Sequence, residues 1–232
     1  MATGPERLGD VLTRAVVSPR PQSKPASSLE NEINAWREAL ANDPSLGEVW
    51  GRTGLVVPKK YRHAKLEDFG ADMVKPNEDG LFITGATGTG KTHLATAWIR
   101  SRIPDSVCIA ANEIQVAFKP MRWTSAPELL GRLRGTFGRK DGETEESIIS
   151  ELSGAWVIVL DDLGAEQSTD WTGQALYRLL CRRINECRPT IVTSNLTLEE
   201  MDKRDPRLAS RLGGMAYQKL EGKDRRLERA AQ

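Results

Sequence analysis

Leu81-Phe82-Ile83-Thr84-Gly85-Ala86-Thr87-Gly88-Thr89-Gly90-Lys91-Thr92 decides how the rest of the chain is read. Four β-prone residues run into a turn with glycine at 85, 88 and 90, and a helical pattern follows that buries Leu94, Ala95, Trp98 and Ile99. A strand, this GxxxxGKT turn and a helix, in that order, make a phosphate cradle. Glycine lets backbone N–H groups converge on phosphate oxygens, and the positive end of the helix dipole lies beside them. Gly85, Ala86, Thr87, Gly88, Thr89, Gly90, Lys91 and Thr92 are therefore the expected ATP-binding residues. The Lys91 ammonium would reach the β- and γ-phosphates, and the Thr92 hydroxyl would ligate magnesium (Mg2+).

Downstream, Trp156-Val157-Ile158-Val159-Leu160 is apolar throughout, as a strand buried on both faces of a parallel sheet must be. Asp161 and Asp162 follow at its C-terminal end, where doubly wound sheets hold their ligands. One carboxylate there can complete a magnesium shell and the other can orient an attacking water, because phosphoryl transfer depends on positioning and electrostatics. We assign Asp161 to the metal and Asp162 to the water. A further strand, Thr190 to Thr193, runs into Ser194-Asn195. If it lies between the other two strands, Asn195 directs its amide at the γ-phosphate and the water.

Arg207 and Arg211 lie four apart, on one face of a short helix. Presented to a neighbouring copy, an arginine there would stabilise transition-state charge and make hydrolysis depend on assembly. The alternative is a surface pair neutralised by Asp205. Arg225 and Arg226, in a basic C-terminal stretch, could reach the nucleotide in cis.

From Val56 onward apolar strands alternate with helices, which predicts a parallel sheet with crossover helices. Ser125-Ala126-Pro127-Glu128 starts a helix, with Leu129, Leu130, Leu133 and Phe137 on its apolar face. Two further helices are expected at about Glu145 to Leu152 and Asp170 to Glu186. Short helices near 197 to 203 and 206 to 212 precede a last strand near 215 to 220. The β-prone run from 106 to 124 fits either one strand or a hairpin. Residues 1–27, with Pro5, Pro19, Pro21 and Pro25, read as a flexible arm. Residues 28–55 carry a short amphipathic helix with Leu29, Ile33, Trp36 and Leu40 at helical intervals, which either packs on its own domain or binds a partner. Residues 56–232 form the nucleotide-binding domain.

Hydrophobic residues make up 39% and charged residues 28% of the 232, and the formal net charge is +1, the balance of an ordinary globular chain. No apolar run approaches the ~20 residues of a membrane helix, so a cytoplasmic protein without membrane contact is expected. Cys108, Cys181 and Cys187 form no CxxC pair and suggest neither disulfides nor zinc. Arg132, Arg134, Arg139 and Lys140, with Trp123 and Phe137 nearby, could form a basic stacking surface for single-stranded DNA; otherwise the two rings join the core.

In order, GTGKTHLA, VIVLDDLG, TIVTSN and PRLASRL resemble AAA+ ATPases of the DnaC-type helicase-loader family, including phage-encoded replication proteins. Val57 to Phe69 is similar to the stretch such proteins carry before the glycine loop. The resemblance covers residues 56 to 226 and implies an α/β P-loop NTPase fold, a three-layer sandwich with a parallel central sheet, preceded here by a short, partly disordered helical segment. It implies that Gly85 to Thr92 is Walker A, Asp161 and Asp162 Walker B, Asn195 sensor 1, Arg211 the arginine finger with Arg207 beside it, and Arg226 a sensor 2. The implied activity is ATP hydrolysis, self-association through the ATP sites, and delivery of a replicative hexameric DNA helicase onto single-stranded DNA. Many AAA+ proteins carry Asp-Glu at Walker B; Asp162 is one methylene shorter, which implies slow hydrolysis. Some phage relatives have an N-terminal zinc-binding cysteine cluster, whereas this chain has no cysteine before Cys108, so the Leu29 to Leu40 helix becomes the candidate partner contact. IstB-type transposition helper ATPases share GTGKTHLA, and a nucleotide-gated adaptor with little hydrolysis is a further reading. A metabolite kinase would not need Asn195 and the Arg207/Arg211 helix together.

Overall fold

The computed structural model describes residues 26–42, 53–70, 73–109, 116–139, 141–166 and 169–222. The expected arm falls outside these residues except at its last two positions, and so do Lys140, Arg225 and Arg226. Seven strands are described: β1 (Gly80–Gly85), β2 (Val107–Ile109), β3 (Val116–Phe118), β4 (Met121–Ser125), β5 (Val157–Leu163), β6 (Thr190–Ser194) and β7 (Ala216–Leu220). The helices are α1 (Ala26–Asn42), α2 (Lys91–Ser101), α3 (Ala126–Arg134), α4 (Glu145–Gly154), α5 (Asp170–Asn185), α6 (Leu198–Arg204) and α7 (Pro206–Gly213).

Five strands form a sheet of order β4-β5-β6-β1-β7, every neighbouring pair parallel. Because alternate strand residues point to opposite faces, each apolar run supplies two cores. Phe82, Ile158, Leu160 and Val192 face one side, where α3, α4, α5, α6 and α7 pack. Leu81, Ile83, Val157, Val159 and Ile191 face the other, under α2. The result is the expected three-layer α/β sandwich. β6 sits between β1 and β5, which was the condition set for Asn195.

Helix starts follow their local chemistry. Ser125 accepts from Glu128 N at the start of α3, and Thr144, Thr169 and Thr197 cap α4, α5 and α6 in the same way. The ambiguous run resolves into a hairpin, β2 with β3, and a separate edge strand β4 paired with β5.

Three local expectations change. α3 stops at Arg134, so Phe137 lies beyond its apolar face and is 57% exposed. β5 continues through Asp161 and Asp162, placing both carboxylates within the strand's last turn of pleat. Of the stripe on α1, Leu29, Ile33 and Trp36 are buried, and Ile33 and Trp36 join Leu55 and Val57 in the core over α2; the Leu40 side chain lies outside the described residues. Trp36 meets Phe118 edge to face at 5.5 Å.

Candidate functional site

β1, β5 and β6 end side by side, and the turn from Gly85 to Gly90 folds over them before α2 begins. The turn needs its glycines: φ is +151° at Gly85, +79° at Gly88 and +104° at Gly90, a backbone that side chains resist. A Cβ on Gly85 would also lie 2.3 Å from the Leu220 carbonyl oxygen, so β7 closes on β1 only because position 85 is bare. The Lys91 side chain, 5% exposed, curls back over the turn, its Nζ donating to Gly85 O at 2.7 Å and to Ala86 O at 2.8 Å. Thr89 Oγ1 donates to Ala86 O at 2.9 Å and closes the loop.

Thr92 Oγ1 donates to Asp161 Oδ1 at 3.2 Å, joining the helix that carries the turn to the end of β5. Thr193 Oγ1 donates to the same oxygen at 2.5 Å and accepts from Asp162 N at 2.9 Å. One β6 hydroxyl therefore fixes both aspartates. They are turned toward the glycine loop by an irregularity: Leu160 pairs with Val192 and Leu163 with Ser194, so three residues of β5 advance while β6 advances two. Asp162 takes the extra residue's strained conformation, φ +55°. Behind it, Arg204 Nη1 donates to Gly164 O at 2.6 Å and holds the following loop.

Burial pushes the Asp161 carboxyl up to about 6; the Thr193 hydroxyl opposes this and the neighbouring Asp162 charge reinforces it. A divalent cation reverses such a shift by favouring the ionised form. The donors fit magnesium, a hard ion held by one or two carboxylates plus substrate phosphates. Among the described residues no three His, Cys, Asp or Glu side chains converge as an all-protein metal cage.

A cleft of about 710 Å³ opens beside the loop, lined by Gly88, Gly90, Lys91, Thr92, Asp162 and Asn195 among others. The expected nucleotide and water residues are thus brought together. The far wall holds residues that the spacing of the motifs did not reveal: Lys60, Tyr61, His63, Asp68 and His93. His93 Nε2 lies 2.7 Å from Asp68 Oδ2, and its ring packs against Phe69 at 5.2 Å and Tyr61 at 6.0 Å. The Asp68 carboxyl is held below its ordinary value chiefly by the Lys65 N–H, with His93 assisting. The sequence signals for this wall were the similarity of Val57 to Phe69 to a family segment and, for His93, its place in GTGKTHLA. Thr193 was equally unmarked, since a threonine inside a buried strand looks like any β-branched residue.

Arg207 and Arg211 do not line this cleft. They lie on α7 and both turn to α5, where Arg211 Nη2 donates to Tyr177 Oη at 3.2 Å. Arg207 Nε is 3.8 Å from Asp205 Oδ1, a loose ion pair with the local acid that the alternative reading named. The suggested basic surface also changes. Arg132 is tied to Glu143 and Glu151, and Trp123 packs on the core. What stays outside is Arg134, over Trp171 at 5.4 Å, with Phe137 edge-on to Trp171 at 5.1 Å and Arg139 exposed nearby.

Among the described residues no helix is long and apolar enough to cross a membrane. The replicative helicase loader DnaC of Escherichia coli (strain K12) is 28% identical over 127 residues, 55% of this chain and 46% of that protein. DnaC of Buchnera aphidicola subsp. Acyrthosiphon pisum is 25% identical over 198 residues, covering 75% of this chain and 76% of that one. The phage-like element PBSX protein XkdC of Bacillus subtilis (strain 168) is 26% identical over 141 residues, 58% of this chain and 47% of that protein. The chain thus spans about half the length of the first and third of these relatives. A crystal structure of the DnaC helicase loader superposes with TM-score 0.53 at 20% identity, over 71% of this chain and 100% of that one. AMPPCP-bound DnaA from Aquifex aeolicus superposes with TM-score 0.51 at 19% identity, over 67% of this chain and 43% of that one. At such identities the likeness shows the fold alone, that of AAA+ structures. The sequence family described as IstB-like ATP binding protein matches residues 65–212, from the wall of the cleft to the end of α7. With the phosphate cradle, the strand-end aspartates and Asn195 all inside that match, the chain belongs to the IstB-like ATP-binding protein family.

Proposed function

We propose that the chain is an ATPase that loads a replicative hexameric DNA helicase onto single-stranded DNA, with each ATP site completed by a second copy. The carrying observation is the division of the site. Lys91, Thr92, Asp162 and Asn195 line one cleft, with Asp161 joined to it through Thr92, while Arg207 and Arg211 lie outside it with their guanidiniums turned to α5. Phosphoryl transfer needs cationic charge on the γ-phosphate as it leaves. A neighbouring copy's α7 would supply it.

In this reading Lys91 gives up its loop carbonyls for the β- and γ-phosphates. Thr92 and Asp161 would hold magnesium, whose charge would offset that of the phosphates. Asp162 and Asn195 hold a water in line with the γ-phosphorus. The water oxygen bonds to phosphorus as the bond to the β–γ bridging oxygen breaks; ADP keeps that electron pair, and the water's proton leaves through Asp162. The short reach of Asp162 makes turnover slow. The relatives named as helicase loaders support the replication role, which would be carried out in the cytoplasm of a bacterium or a phage host. Arg134, Phe137, Arg139 and Trp171 form the surface we assign to single-stranded DNA, since cations beside an exposed ring suit phosphate and base together. With the apolar stripe of α1 buried on its own domain, helicase contact through α1 would use its exposed side, with Glu30, Asn34 and Glu38.

A transposition-helper role is the second reading, favoured by the family match itself. A pull-down with the purified chain separates the two. Replicative helicase retained in ATP and released in ADP is the expected result. Retention of transposase with no retention of helicase would overturn the loader assignment.

A further inference from the structure

Tyr177 has no place in the chemistry above, yet two guanidiniums converge on it. Arg207 Cζ lies 5.7 Å and Arg211 Cζ 5.6 Å from the centre of its ring, both within cation–π range. The Tyr177 hydroxyl accepts from Arg211 at 3.2 Å. Two like charges one helical turn apart repel, and the ordinary solution is a carboxylate between them. Here the acid at hand is divided: Asp205 Oδ1 accepts from Arg207 N at 3.1 Å and Leu208 N at 3.2 Å as the cap of α7, and stands 3.8 Å from Arg207 Nε. Among the described residues Arg211 forms no ion pair. A neutral ring with one hydroxyl faces both guanidiniums and leaves the Arg211 charge uncancelled, while Arg207 keeps a loose 3.8 Å pair with Asp205.

The approach of the two helices is built into the chain. Gly173 lies one turn before Tyr177 on α5, and a Cβ there would fall 2.6 Å from Asp205 Oδ2. The bare position lets the capped end of α7 sit against α5, which brings the next turn of α7 over the tyrosine. Arg178, beside Tyr177 in sequence, is drawn instead to Glu145 and Glu146 on α4 and does not compete for the ring.

We propose that Tyr177 is a positioning residue that holds Arg207 and Arg211 in the orientation in which they meet the γ-phosphate bound by a neighbouring copy. This rests on the shared-site reading given under Proposed function. An untethered arginine at an exposed helix face samples many rotamers, and ordering it on binding opposes association. Tyr177 does that ordering beforehand.

The test uses the full chain and measures ATP turnover across a range of protein concentrations, with ATP affinity taken separately by titration of a fluorescent nucleotide. Tyr177→Phe keeps the ring and is expected to lower the assembly-dependent kcat about threefold through loss of the hydroxyl. Tyr177→Ala is expected to lower it about tenfold or more, with KM and nucleotide affinity within about twofold of the parent. In an Arg207→Ala/Arg211→Ala background, Tyr177→Ala should cost nothing further, because its effect passes through the arginines. Should Tyr177→Ala fail to fold, Tyr177→Phe in both backgrounds carries the same comparison. Normal turnover by the tyrosine variants while Arg211→Ala loses it would overturn the positioning role alone, and so would fully additive losses. Normal turnover by Arg211→Ala would remove the shared site and the role of Tyr177 with it. If the tyrosine variants lose affinity for single-stranded DNA but no kcat, the arginines serve a nucleic-acid phosphate and the proposal falls.

Discussion

Lys91 and Asp161 show most clearly how single side chains of this site are balanced. Lys91 satisfies its ammonium on two carbonyls of its own turn, so it waits within reach of phosphate at little reorganisation. Lys91→Ala is expected to weaken ATP binding by about 100-fold or more, read by fluorescent nucleotide titration, because charge-assisted contacts to phosphate are the strong ones. Asp161 is the opposite case, a carboxylate whose burial outweighs the hydroxyls that donate to it until a cation is present. Its folded pKa of about 6 lies above the ordinary value of 3.8. The folded state therefore holds this proton more tightly than the unfolded chain does. Its contribution to stability is fully present below about pH 4 and is lost as pH rises through about 6. Without nucleotide or magnesium, Asp161→Asn should raise the melting temperature at pH 7 by a few degrees and flatten its change between pH 7 and 5, while magnesium-dependent ATP affinity falls. A melting temperature at pH 7 equal to or below that of the parent would contradict the assignment. Lys91, Thr92 and both aspartates were legible because their chemistry demands a fixed spacing after a strand. Thr193 was not, because its role depends on which strand lies next to β5.

At the level of elements, Arg183 ties the far end of the sheet together. Fully buried on α5, it donates to the Leu152 and Ala155 carbonyls at 2.8 and 2.7 Å, to Pro189 O at 2.8 Å and to Thr190 Oγ1 at 2.8 Å. Burial, with Arg188 nearby, pulls its pKa down to about 9, so the guanidinium is still charged at neutral pH. It satisfies carbonyls at the end of α4 and the approaches to β5 and β6 in one step. Arg183→Met is expected to cost about 3 kcal/mol or more in urea unfolding, since several buried carbonyls lose their donor, and Arg183→Lys should rescue little. Gly85→Ala is an element-level change as well: the Cβ would strike the β7 backbone, so both stability and ATP binding should fall, by about 2 kcal/mol or more in stability. Strand and helix spans were largely legible from hydrophobic periodicity. The end of α3 and the bulge in β5 were not, because Phe137 fits a helical spacing equally well and nothing local marks an extra residue in a strand.

At the scale of the whole molecule, α1 is part of the fold. Trp36→Ala should lower stability by about 3 kcal/mol, measured by thermal or urea unfolding, as loss of a large buried ring does. A variant as stable as the parent would show that α1 is not docked in solution. ATP turnover per chain should also rise with protein concentration, because the arginines of one copy lie outside its own cleft. The sequence by itself determined a parallel α/β sandwich with a glycine turn between strand and helix and named side chains that meet at the cleft beside that turn, since strand, glycine turn and helix are local patterns with local causes. Three matters were decided by the tertiary structure alone: that the stripe of α1 belongs to the core, that the wall from Lys60 to Asp68 faces the glycine loop, and that Arg207 and Arg211 share one tyrosine. Each is a meeting of segments distant in the chain, and periodicity records which face of a segment is apolar but not what will cover it.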